Sequence, residues 1–162
     1  MTTALNIRPL TGTTLDAALP DLARLRITVF RDWPYLYDGD AAYEERYLAP
    51  YRDTPSAIVI GAYDGDTLVG ASTGMRLTQH ADDFAAAFAD ADLDLASVFY
   101  CAESVLLPAY RGRGVGHAFF DHREAHARGY APLDGVKADF SWKDLSDVVE
   151  TSKALQFWLH DL

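Results

Sequence analysis

Three glycines fall within five positions in Arg111-Gly112-Arg113-Gly114-Val115-Gly116, and no other stretch of the chain constrains its fold as tightly. The segment lies between an apolar run, Ser97 to Leu107, that reads as a buried central strand closing at Pro108, and an amphipathic helix from about Gly114 to Arg128. Glycine takes backbone angles that other residues resist and lets a ligand come close to the main chain. The start of the following helix presents unpaired N–H groups and a partial positive charge, which suits a pyrophosphate. Arg111 and Arg113 add positive charge inside a chain whose formal net charge is −10. That local reversal is what a polyanionic ligand needs.

A glycine-rich loop alone is a weak signal, since dinucleotide loops, phosphate loops and plain tight turns share it. A dinucleotide loop requires Gly-x-Gly-x-x-Gly, whereas here Gly112, Gly114 and Gly116 are followed by His117. A nucleotide-triphosphate loop requires a Gly-Lys-Ser/Thr ending, which is absent.

Around this motif the chain reads as one domain covering 1–162, with no internal repeat or linker. Asn6 to Leu10 is a short strand, followed by a turn at Thr11–Thr14 and a helix that Pro20 begins. Leu22, Leu25, Arg26 and Val29 recur along that helix as one buried stripe. An aromatic-rich loop, Arg31 to Asp40, leads to a second helix from Ala41 to Ala49, which Pro50 ends. Tyr43, Tyr47 and Tyr51 line one of its faces as packing residues. Ala57–Tyr63 and Thr67–Met75 form a hairpin about Asp64-Gly65-Asp66. Asp82 to Phe88 reads as helical, Asp90, Asp92 and Asp94 as a solvated loop, Val136 to Trp142 as strands, and Ala154 to Leu159 as a short helix or tail. The result is a mixed α+β chain with a mostly antiparallel sheet.

Hydrophobic residues at 49% and charged residues at 23% describe a globular domain. No apolar run has membrane-spanning length, the N-terminus lacks signal-peptide regions, and the single cysteine, Cys101, suits a reducing compartment. A cytoplasmic location is the expectation. The acidic balance argues against nucleic acid and anionic membrane as partners and leans toward a cationic or amine substrate.

The run Glu103-Ser104-Val105-Leu106-Leu107-Pro108-Ala109-Tyr110-Arg111-Gly112-Arg113-Gly114-Val115-Gly116 resembles the acetyl-CoA-binding motif of the GNAT superfamily of N-acyltransferases. That motif is Gln/Arg-x-x-Gly-x-Gly/Ala after a strand and a Pro-x-Tyr turn; Arg111, Gly114 and Gly116 fill its positions, Pro108 and Tyr110 its approach. The resemblance implies the GNAT fold, with helices on both faces of the sheet. It implies that Arg111, Gly112, Arg113, Gly114, Val115, Gly116 and His117 form the pyrophosphate site, and that Ser104, Val105 and Leu106 pair with the pantetheine arm like an added strand. It further implies direct transfer of an acetyl group from acetyl-CoA to an amine of a small molecule or peptide. Homodimers are common among such domains. A non-catalytic acyl-CoA-binding module, kept for sensing or assembly, is the alternative.

Glu103 is the candidate base, being on the strand beside the expected thioester; a strand-edge carboxylate paired with an arginine is the competing reading. Tyr35, Tyr37 and Asp38 lie where this fold shapes its acceptor pocket, although a packed aromatic loop accounts for them too. His122 and His126 are four apart on a helix, but the intervening order Arg123-Glu124-Ala125 lacks the zinc-protease pattern. They continue the inner stripe of Val115 and Phe119, so no metal is expected. Cys101 is read as core.

One departure from the family stands out. Only 46 residues follow Gly116 in a chain of 162, and a further helix and strand with loops need on the order of thirty residues. Arg128 runs straight into Gly129-Tyr130-Ala131-Pro132-Leu133-Asp134-Gly135, so the usual fifth strand and fourth helix are missing. Either a segment belonging between Arg128 and Gly129 is not represented, or the chain carries a deletion whose sheet a partner subunit completes or which stays incomplete. The first is favoured, because losing a central element exposes core. The family's general-acid tyrosine belongs to that region, and its role passes to no residue here.

Overall fold

The computed structural model describes residues 4–33, 35–80 and 94–129. The readings at 82–88, 90, 92 and from 130 onward, including the missing elements after Arg128, lie outside the described residues.

Four strands, β1 (Asn6–Leu10), β2 (Ile58–Asp64), β3 (Thr67–Arg76) and β4 (Phe99–Leu106), form one antiparallel sheet in chain order. Among the described residues three α-helices accompany them: α1 (Thr13–Arg31), α2 (Ala41–Asp53) and α3 (Val115–Gly129). Side chains alternate across β2 as a pleated strand requires. Val59 joins the apolar cluster of Leu22, Leu25, Val29 and Leu48 from α1 and α2. Ile58, Ile60 and Ala62 join Val115, Phe119 and Ala127 from α3. The sheet therefore carries a core on each face, which makes the architecture α+β with helices on both sides. Among the described residues no helix is long and apolar enough to cross a membrane.

Two helix boundaries differ from the sequence reading, and in both the buried stripe outweighs a proline. α1 begins at Thr13, not Pro20, because Leu15 and Ala18 are buried and extend the stripe upstream of Leu22. The residues read as a turn provide its start: the Thr11 amide donates to Thr14 Oγ1 at 2.9 Å, and that hydroxyl donates back to Thr11 O at 2.7 Å. Pro20 lies on the exposed side, inside the helix. α2 likewise passes through Pro50 to Asp53, held by Tyr51, only 4% exposed. Asp40 caps it, Oδ1 accepting from the Tyr43 amide at 2.9 Å. Of the tyrosine stripe, Tyr51 is buried, Tyr47 half-buried, and Tyr43 exposed.

β4, read as a central strand, is an edge strand among the described residues, paired only with β3. Its ladder slips once. Glu103 faces Thr73 and Cys101 faces Gly74, so Ala102 is an extra residue in the register, a β-bulge. In consequence Ala102 packs in the α1–α2 core, whereas Cys101 packs against the α3 core. Cys101 is half-buried, and burial raises its thiol above the ordinary value.

Candidate functional site

β4 delivers the chain into a single 3₁₀ turn, Pro108–Tyr110, before the glycine segment. The Tyr110 hydroxyl donates to Asp64 Oδ2 at 2.9 Å, fastening the turn to the end of β2, and that bond raises the phenol above its ordinary value. Arg113 donates to Ala109 O at 3.1 Å and lies over the Tyr110 ring at 5.1 Å. Gly112 and Gly114 have φ of 73° and 77°, the left-handed region that glycine tolerates, and a Cβ on either would meet nothing within 4 Å. Among the described residues, the loop thus opens onto free space. Val115 is 2% exposed and pins the start of α3 in the core. The first helical bond runs from the Ala118 amide to Gly114 O at 3.2 Å, so the amides of Val115, Gly116 and His117 precede it. Arg111, Arg113 and His117 are exposed around them.

The Leu107 amide donates to Val69 O at 2.9 Å. In an antiparallel ladder alternate residues face opposite edges, so the main chain of Leu106 and Ser104 points away from β3. Val105 turns its main chain toward β3 and its side chain, 3% exposed, into the core. The edge offered for pairing is therefore carried by Ser104 and Leu106.

Glu103 sits in an ionic network that joins three elements. Arg26 of α1, nearly buried, pairs through Nε with Glu44 of α2 and through Nη1 with Glu103 of β4. The Tyr47 hydroxyl donates to Glu103 Oε1 at 2.9 Å, and the Arg26 guanidinium lies 4.2 Å from the Tyr47 ring centroid. Glu44 is fully buried, but the Glu103 side chain keeps 25% of its surface exposed. Of the two readings of Glu103, the arginine-paired carboxylate is the arrangement found. Burial raises the Tyr47 phenol. Tyr37 is pushed up to about 12, first by burial and next by its hydrogen bond to Glu44.

The residues of the α1–α2 loop divide. Tyr37 reaches the network through Glu44. Tyr35 packs against Phe30, ring centroids 4.9 Å apart, and Asp38 is exposed and pairs with Arg31 at 2.9 Å. Sequence reasoning missed Glu44, the pairing role of Arg26, and Arg123 of α3. The signal was present for both arginines: each falls within an apolar helical stripe, and a buried guanidinium requires acceptors. His122 and His126 are half-buried, His126 Nε2 lying 3.0 Å from Ser56 O. Among the described residues no group of three or more potential ligands is placed to hold a metal.

No family model matches the chain's sequence, and no curated protein does. Solved structures do match. Aminoglycoside 6'-N-acetyltransferase AAC(6')-IG from Acinetobacter haemolyticus is similar with a TM-score of 0.57 at 14% identity, covering 92% of each chain. AAC(6')-Iy, solved in complex with the bisubstrate analog CoA-S-monomethyl-acetylneamine, gives 0.51 at 15% identity over 94% of this chain and 93% of its own. A ribosomal-protein-alanine N-acetyltransferase from Brucella melitensis biovar Abortus 2308 gives 0.51 at 19% identity over 78% and 73%. The chain has the fold of the GNAT N-acetyltransferases.

Proposed function

We propose that the chain is an N-acetyltransferase that moves an acetyl group from acetyl-CoA directly to an amine of a small molecule or peptide. The observation that carries this reading is the open glycine loop at the start of α3, continuous with the outward edge of β4. The residues fit the donor. Two left-handed glycines leave room for a pyrophosphate against the amides of Gly112 to His117, with Arg111 and Arg113 beside it. Ser104 and Leu106 offer main-chain groups for the amides of the pantetheine arm, as an exposed strand edge does for an added strand.

Acetyl-CoA, when bound, supplies an activated acetyl thioester. The chain's own residues hold the acceptor nitrogen against it and take its proton as the N–C bond forms and the thioester C–S bond breaks, CoA leaving as a thiolate that is protonated to the thiol. Glu103, partly exposed beside Ser104, is the group proposed to receive that proton, its orientation set by Arg26 and Tyr47. Tyr35, Tyr37 and Asp38 are the proposed acceptor contacts. One observation favours the non-catalytic alternative: both Arg26 and Tyr47 already engage the Glu103 carboxylate.

Calorimetric titration with acetyl-CoA tests the donor site. Saturable binding to the wild type, lost in Gly114→Trp, supports it; a folded wild type that binds nothing removes it. Steady-state turnover with a panel of amines then separates catalyst from binder. Glu103→Gln is expected to lower kcat by about a hundredfold or more if Glu103 is the base, and unchanged turnover in this variant eliminates that role.

A further inference from the structure

A second buried arginine lies on the opposite face of the sheet, under the same point of β4. Arg123 of α3 is 0% exposed. Its Nη1 donates to two main-chain carbonyls on adjacent strands, Glu103 O at 3.2 Å and Thr73 O at 3.3 Å. Its guanidinium also rests 4.5 Å from the Phe120 ring centroid. Burial pushes this group below its ordinary value, so keeping a cation here opposes folding unless the carbonyls answer it.

The two carbonyls are not arbitrary. Thr73 and Glu103 are the last facing pair before the ladder slips past Ala102. The Ser72 hydroxyl donates to the same Glu103 O at 3.0 Å and lies 3.3 Å from Ser104 Oγ. On the other face Arg26 and Tyr47 hold the carboxylate of the same residue. Glu103 is gripped at its side chain by one helical layer and at its carbonyl by the other.

We propose that Arg123 is a positioning residue: by bonding Glu103 O and Thr73 O it fixes the β4 bulge, and with it the outward edge at Ser104 and Leu106 that receives the pantetheine arm. This rests on the acyl-CoA reading above. A bulge breaks the local ladder and leaves a strand free to shift, and a planar guanidinium tying two carbonyls across adjacent strands removes that freedom. The glycine loop, anchored separately by Tyr110–Asp64 and Val115, does not depend on it.

The test is calorimetry on the full chain with two probes: acetyl-CoA, and its nucleotide portion alone (phosphoadenosine diphosphate), which reaches only the loop. Arg123→Met is expected to weaken acetyl-CoA binding about tenfold while changing nucleotide binding less than about threefold, with Arg123→Lys between it and the wild type. Ser72→Ala, which removes the second donor to Glu103 O with little change in volume, is expected to shift acetyl-CoA affinity the same way by a smaller factor. If Arg123→Met does not fold, Arg123→Lys and Ser72→Ala decide. Variants that bind acetyl-CoA like the wild type overturn the proposal, as do variants that lose both probes in parallel, the mark of a purely structural role. A wild type that binds neither probe overturns the acyl-CoA reading itself.

Discussion

Arg26 shows how one side chain can settle where three elements meet. A guanidinium is the one side chain able to answer two carboxylates from different directions while lying flat on aromatic rings, and Arg26 meets Glu44, Glu103, Tyr47 and Phe30 together. Such pairs add little net stability beside an apolar replacement of the whole group, yet breaking one is costly because a charge is left buried. Arg26→Met is therefore expected to destabilise the fold by about 3–5 kcal/mol in urea unfolding, chiefly through the stranded Glu44. Adding Glu44→Leu should recover much of that loss. A single substitution costing under about 1 kcal/mol would mean that water reaches Glu44 and that the network is weaker than its burial implies.

Among the elements, the two helices that cross a proline make the clearest test. Pro20 removes a helical N–H and crowds the preceding turn, but its side is exposed and the buried stripe on the other side holds α1 together. Pro20→Ala is expected to raise stability by about 1–3 kcal/mol, read as a higher midpoint in thermal unfolding. A lower midpoint would show that the ring contributes packing or stiffens the unfolded chain more than it strains the helix. The same residue shows what the sequence could disclose. The hairpin was legible to within a residue, because its turn needs Gly65 at a φ of 58° and alternation marks both strands. The glycine loop was legible because its chemistry is local. α1 was misread because a proline at a helix start and a proline tolerated within one look alike until the burial of Leu15 and Ala18 is known. The pairing of Arg26 with Glu103 was invisible, since it joins residues far apart in the chain and no local pattern records it.

For the molecule as a whole, the acidic surface and the cluster of phenols on the α1–α2 side set its behaviour in alkali. Burial, the largest cause in each case, raises Tyr37, Tyr47, Tyr51 and Tyr100, with Tyr37 at about 12. An unfolded tyrosine titrates near about 10. Between those values the folded state holds protons that the unfolded state has lost, so stability is fully present below about pH 10 and declines as pH rises through the folded range. The urea midpoint should fall steeply above that point, and Tyr51→Phe should make the fall shallower; a midpoint flat to about pH 11 would show that these phenols are hydrated. The bulge at Ala102 has a further consequence, for descent rather than for energy. One extra residue puts the two halves of β4 in opposite phase, so that Cys101 serves one helical layer and Glu103 the other. Because Ala102 and Glu103 face the same layer, deleting Ala102 would restore a regular ladder with every other side chain in its own layer, whereas a deletion outside this pair would turn the side chains on one side of it to the wrong layer. Lineages carrying this strand can therefore shorten it by one and keep both cores only at the bulge, so a change of length should fall there while the rest of the strand drifts in letters alone.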